Sequence, residues 1–195
     1  MKKIHIYVGA GAYQARDVEG CLAVLDLDYE RICEHDLAKL GASDICIVPG
    51  GAIRSYLRAW SGPIREQLKN FVARGGVYIG ICAGAYVAGA SFDGIEGLGA
   101  VPTSFAYRKR QGFPLAVTVD GDRFEVIDEN GPDLSDLAGT VVLQDEAGHP
   151  LALQVKQGEG SYYLFSVHLE GSVYHKKLPQ TSDSAKYFVK FLASV

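Results

Sequence analysis

Residues Val77 to Tyr86 read Val-Tyr-Ile-Gly-Ile-Cys-Ala-Gly-Ala-Tyr, an apolar run that passes through Gly-x-Cys-x-Gly into small residues. The run fits a buried central strand and the small residues fit a helix start. A sulfur on such a sharp turn, with glycine two residues to either side to avoid clashes, stands exposed as a nucleophile. The helix start supports an anionic sulfur, and the backbone N–H of Ala83 would face a developing oxyanion. Cys82 is therefore the candidate nucleophile. Free cysteines more often behave as small buried hydrophobes, and Cys21, Cys33 and Cys46 are assigned to that class.

A nucleophilic thiol needs a base, and the base needs an orienting group. Of the five histidines, His5 alternates within a strand-like run, while His35, His149 and His175 sit in polar, turn-like surroundings. His168 differs, because it closes the apolar run Tyr162 to Val167 and is followed by Leu169-Glu170-Gly171. His-x-Glu at a strand exit puts imidazole and carboxylate on one side, so His168 is the candidate base and Glu170 its orienter. Pro49-Gly50-Gly51 ends another apolar run, on the edge of a parallel sheet where Cys82 would also lie and where such sheets bind ligands. Gly51 is the candidate second oxyanion donor, with Gly50 and Tyr86 in the substrate pocket. Without Cys82, the His-x-Glu pair would read as a surface pair and the glycines as an ordinary turn. Tyr107 and Phe105 could also line a pocket, though aromatic residues more often serve packing. The chemistry these types suit is acyl transfer.

Alternating strand-like and helix-like segments must position them. Lys3 to Val8 reads as a strand, Gly9 to Ala12 as a turn, and Tyr13 to Leu25 as a helix with Val18, Cys21, Leu22 and Leu25 on one face. Tyr29 to Glu34 and Asp44 to Val48 read as strands, and Gly62-Pro63 opens a helix over Ile64 to Ala73 that stops at Gly75-Gly76. Strands are expected at Leu115 to Val119, Phe124 to Ile127, Val141 to Gln144, Leu151 to Lys156 and Tyr162 to Val167, then an amphipathic helix over Asp183 to Leu192. This predicts one α/β domain over residues 1–195, a mostly parallel sheet with helices on both faces and a β-rich C-terminal half.

Composition bounds the function. The 195 residues are 48% hydrophobic and 22% charged, which excludes disorder and leaves room for one full core. A net charge of −4 gives no cationic footprint for nucleic acid, and the basic run Arg108-Lys109-Arg110 reads as a solvated loop. No stretch approaches the ~18 apolar residues of a membrane helix, and the first ten residues read as a strand rather than a signal peptide. Four scattered cysteines form no C-x-x-C pair and need no disulfide framework, which fits a cytoplasmic protein. Gly9 and Gly11 lack the third glycine and the acid of a dinucleotide fingerprint, so neither cofactor nor metal is expected.

Gly80-Ile81-Cys82-Ala83-Gly84, Pro49-Gly50-Gly51 and His168-Leu169-Glu170 together resemble the class I glutamine amidotransferase-like superfamily. Within it, Tyr78 to Tyr86 looks most like the domain at the N-terminus of eukaryotic biotin–protein ligases, which also occurs as stand-alone bacterial proteins. The resemblance implies a flavodoxin-like sheet and a Cys82–His168–Glu170 triad that hydrolyses a small carboxamide or related carbonyl, with Gly51 and Ala83 as the oxyanion hole. It also implies a small-molecule substrate and a separate acceptor or synthetase protein for any ammonia released. Two positions depart from the pattern. Tyr86 stands where glutamine-using members carry glutamine, four residues past the nucleophile, and Leu169 stands where a proline is usual. Two other readings compete. One is a ligand-binding or regulatory domain with a relic triad. The other is a PfpI/DJ-1-type cysteine hydrolase, which would place a glutamate in the loop that here reads Gly9 to Gln14.

Overall fold

The computed structural model describes residues 2–109, 113–171, 179 and 182–195; Met1, Arg110 and His175 lie outside them. The chain opens with β1 (Ile4–Tyr7), α1 (Ala15–Val24), β2 (Glu30–Ile32) and β3 (Ile45–Val48). Helices α2 (Ile53–Ala59) and α3 (Gly62–Ala73) lead to β4 (Val77–Ile81) and the short α4 (Ala83–Val87). Next come β5 (Ser91–Phe92), β6 (Ile95–Glu96) and β7 (Ser104–Phe105), then the hairpin β8 (Phe113–Val119) and β9 (Asp122–Asp128). Strands β10 (Thr140–Gln144), β11 (Pro150–Gln157) and β12 (Gly160–Phe165) precede α5 (Asp183–Ser194).

Seven strands form the main sheet in the order β2-β1-β3-β4-β12-β11-β10. The first five run parallel, and β11 and β10 add antiparallel at one edge. An order of 2-1-3-4 followed by a fifth parallel strand is the flavodoxin-like arrangement, and its ligand crevice lies beyond the carboxyl ends of the strands. The strands are apolar because both faces are covered. Alternation sorts their side chains: Ile4, Ile6, Ile45, Ile47, Val77 and Ile79 pack with Val18, Cys21 and Leu22 of α1 and Phe188 and Phe191 of α5. Tyr7, Cys46, Val48 and Tyr78 pack on the other face with residues of α2, α3 and α4.

Most sequence-based elements agree within a few residues. The second strand is shorter than expected, and α2 and the three-stranded β6-β5-β7 sheet were not expected at all. Helix α2 has seven residues and no side-chain cap at Ala52, so it carries no start signal. The tiny sheet has two-residue strands, too short to show any period. The β-rich half divides its labour: β10 to β12 complete the main sheet, while the β8–β9 hairpin reaches α5, where Phe124 and Tyr187 stack 5.1 Å apart.

Candidate active site

Cys82 joins β4 to α4 with φ 49° and ψ −102°, a strained backbone for a residue with a Cβ. The turn is held from several sides. The Cys82 N–H donates to the Phe165 carbonyl of β12 at 2.9 Å, and the buried Tyr78 hydroxyl donates to the Gly84 carbonyl at 2.8 Å. The flanking glycines are needed for close approach. A Cβ on Gly80 would stand 2.5 Å from the Gly84 oxygen, and one on Gly84 would stand 2.0 Å from the Val48 oxygen.

His168 follows β12 and is pinned to β9 by paired backbone bonds: its N–H donates to Ile127 at 2.9 Å, and the Ile127 N–H donates back at 3.3 Å. The ring is buried, with Nδ1 2.8 Å from Oε1 of the fully buried Glu170. The ring and the Cys82 side chain line the same cavity. Burial works against a charged imidazole, but the Glu170 carboxylate and the Cys82 sulfur outweigh it and hold the His168 pKa well above the ordinary value. Glu170 also acts on Cys21 of α1, whose thiol is pushed up to about 12 by burial and then by that negative charge. The Cys82 thiol donates as well to the Glu129 carbonyl at 3.5 Å.

The Pro49-Gly50-Gly51 turn is clasped by the loop after β1. The Ala52 N–H donates to the Gly11 carbonyl at 2.9 Å, the Gln14 N–H donates to the Gly50 carbonyl at 3.1 Å, and the Tyr56 hydroxyl donates to the Pro49 carbonyl at 2.9 Å. A Cβ on Gly51 would meet the Gly11 oxygen at 1.8 Å, so only glycine lets these two turns touch.

These loops enclose a cavity of about 230 Å³ whose lining includes Gly51, Cys82, Ala83 and His168. Glu170 sits behind His168, away from the cavity. Gly50 borders it indirectly, since a Cβ there would lie 2.9 Å from His168 Cε1. Tyr86 does not line it: the ring is buried between Phe92 and Phe105, centroids 5.4 and 5.6 Å away, and its hydroxyl accepts the Arg108 N–H at 3.1 Å. Phe105 packs there too, whereas Tyr107 does line the cavity. Sequence reasoning missed Tyr13, Gln14, Ile53, Glu129 and Asn130. The first two follow β1 at the carboxyl edge of the parallel sheet, a position that could have flagged them. Glu129 and Asn130 arrive only because the β8–β9 hairpin folds back to His168, and no local signal announces that. Among the described residues, no cluster of His, Cys, Asp or Glu could hold a metal and no helix is long and apolar enough to cross a membrane.

Residues 22–97 match the family described as "Biotin-protein ligase, N terminal"; the match takes in Gly51, Cys82 and Ala83 and stops before His168 and Glu170. The phosphoribosylformylglycinamidine synthase subunit PurQ of Lacticaseibacillus casei is 29% identical over 160 residues, covering 77% of this chain and 57% of that protein. The chain spans about half the length of the curated relatives it matches. Among solved structures, a glutamine amidotransferase superposes with a TM-score of 0.73 at 20% identity, over 98% of this chain and 99% of that one. PurLQS from Thermotoga maritima gives 0.71 at 16% identity, over 100% and 99%. The fold is that of class I glutamine amidotransferase-like proteins. More particularly, residues 22–97, which include Cys82, are similar to the N-terminal domain of biotin-protein ligases.

Proposed function

We propose that the chain is a cysteine amidase or acyl-transfer enzyme acting on a small carboxamide or related carbonyl. One observation carries this reading: a cysteine in a strained elbow shares a cavity with a buried histidine that is bonded to a buried glutamate. The Cys82 thiol gives its proton to His168 and its sulfur attacks the carbonyl carbon; a C–S bond forms, and the π electrons move to oxygen, where the Gly51 and Ala83 N–H groups receive them. Collapse breaks the C–N bond as the charged His168 gives its proton to the departing nitrogen. Neutral His168 then takes a proton from water, whose oxygen attacks the thioester carbon; the C–S bond breaks, the acid leaves, and His168 returns the proton to the Cys82 sulfur. Glu170 holds the ring's orientation and its charge. The relative from Lacticaseibacillus casei is described as a subunit of a synthase; by analogy, ammonia freed here passes to a separate acceptor or synthetase protein.

A binding role without turnover draws on the Cys82–Glu129 contact, which keeps the sulfur as a hydrogen-bond donor. Intact-mass analysis of protein mixed with primary amides and quenched in acid separates the two. Acyl transfer leaves a thioester on Cys82, and Cys82→Ala lowers turnover at least ~10³-fold. Full turnover by Cys82→Ala would refute it.

A further inference from the structure

The mouth of the cavity carries two bare aromatic rings. Tyr13 is 69% and Tyr107 52% exposed, and both line the space that holds Cys82. Neither stands on a loose backbone. Tyr13 N–H donates to the Gly11 carbonyl at 2.9 Å, in the loop clasped to Gly51. Beside Tyr107, the Arg108 N–H is bound by the Tyr86 hydroxyl, and the Arg108 guanidinium faces Asp128 and Asp133 at 3.6 and 3.9 Å. Large rings held bare on anchored backbone beside a cavity form a prepared contact surface. The space itself, about 230 Å³, is below the ~300 Å³ at which ligand pockets ordinarily begin, so a substrate of ordinary size extends past its rim, where Tyr13 and Tyr107 are the exposed aromatic residues.

We propose that Tyr13 and Tyr107 form an aromatic clamp, and that the group attached to the substrate's carbonyl is a planar ring lying against their faces. Phenol faces take flat rings by offset stacking and grip a flexible polar chain less well. The proposal rests on the acyl-transfer reading for the position of the carbonyl, over Cys82, and adds the class of its substituent.

The test measures equilibrium binding to Cys82→Ala protein, so that it depends on no turnover. The probes are 3-phenylpropanamide, 3-cyclohexylpropanamide and propanamide. The clamp predicts that the phenyl amide binds about three- to tenfold tighter than the puckered cyclohexyl amide, and tighter still than propanamide. Adding Tyr13→Ala and Tyr107→Ala removes the phenyl preference, and adding Tyr13→Phe and Tyr107→Phe instead keeps it. Equal affinity for the two ring amides, no measurable binding of the phenyl amide, or a preference surviving both alanine substitutions would overturn the clamp. Amide turnover by the wild type without ring preference overturns the clamp and leaves the acyl-transfer reading standing. Ring-selective binding by a protein that turns over no amide does the opposite.

Discussion

His168 and Glu170 are both buried and 2.8 Å apart, so the carboxylate governs the charge of the imidazole. The His168 pKa stands above its ordinary value of ~6.5, which makes the charged ring a stabilising feature of the fold. That stability is full below ~6.5 and is lost as pH rises through the folded-state pKa. The unfolding free energy of wild type should therefore exceed that of Glu170→Gln most in mild acid, and the gap should narrow in alkali. Amide turnover should follow, falling on the alkaline side as His168 loses the proton it gives to the leaving nitrogen, with the fall displaced to lower pH in Glu170→Gln. Denaturant titrations and rate profiles across pH check both, and a gap constant with pH would contradict the pairing. Cys82 makes a second prediction. Its positive φ costs about 1–3 kcal/mol, so Cys82→Gly should be more stable than Cys82→Ala by about 1 kcal/mol while being equally inactive. Equal denaturation midpoints would show that the elbow stores no strain.

At the level of elements, four carboxyl-end loops, those after β1, β3, β4 and β12, meet at the site and are joined there by Tyr107, after β7, and by Glu129 and Asn130, after β9. The Gly51 turn and Gly11 approach so closely that a Cβ on Gly51 would meet the Gly11 oxygen at 1.8 Å. Gly51→Ala should cost about 1–3 kcal/mol, because its methyl group would have to displace the Gly11 carbonyl, and it should lower turnover by moving the proposed oxyanion donor. Thermal and kinetic measurements together check this, and an unchanged protein would mean that the turn is free to move. The parallel strands and their helices could be read from the sequence because burial on both faces leaves unbroken apolar runs, bounded by glycine and proline. Cys82, His168 and Gly51 stood out for a related reason: each interrupts such a run at its carboxyl end. Tyr86 is a pocket candidate as an aromatic residue that stands where the resembled family carries glutamine, but residue type and position cannot say which way a ring turns. The structure packs it between Phe92 and Phe105. Glu129 and Asn130 were invisible for the converse reason, since a long-range pairing of Ile127 with His168 delivers them.

Across the molecule, four free cysteines report on three kinds of environment. Cys21 and Cys46 are fully buried, and burial pushes both thiols up to about 12. Cys33 is half-buried, and its thiol donates to Asp36 at 3.2 Å. Cys82 is also half-buried, but opens into a cavity beside a charged histidine. The sheet thus hides two sulfurs in its layers and presents one at its carboxyl edge, where the proposed chemistry needs it. Site-resolved alkylation of the native protein with iodoacetamide at neutral pH, read by mass spectrometry at every cysteine, tests this most directly. Cys82 should be modified well ahead of Cys33, with Cys21 and Cys46 silent until the protein unfolds, and His168→Ala should remove that lead. If Cys82 reacts no faster than Cys33, or keeps its lead without His168, the sulfur and the imidazole do not work as one nucleophile and the proposed acyl transfer fails.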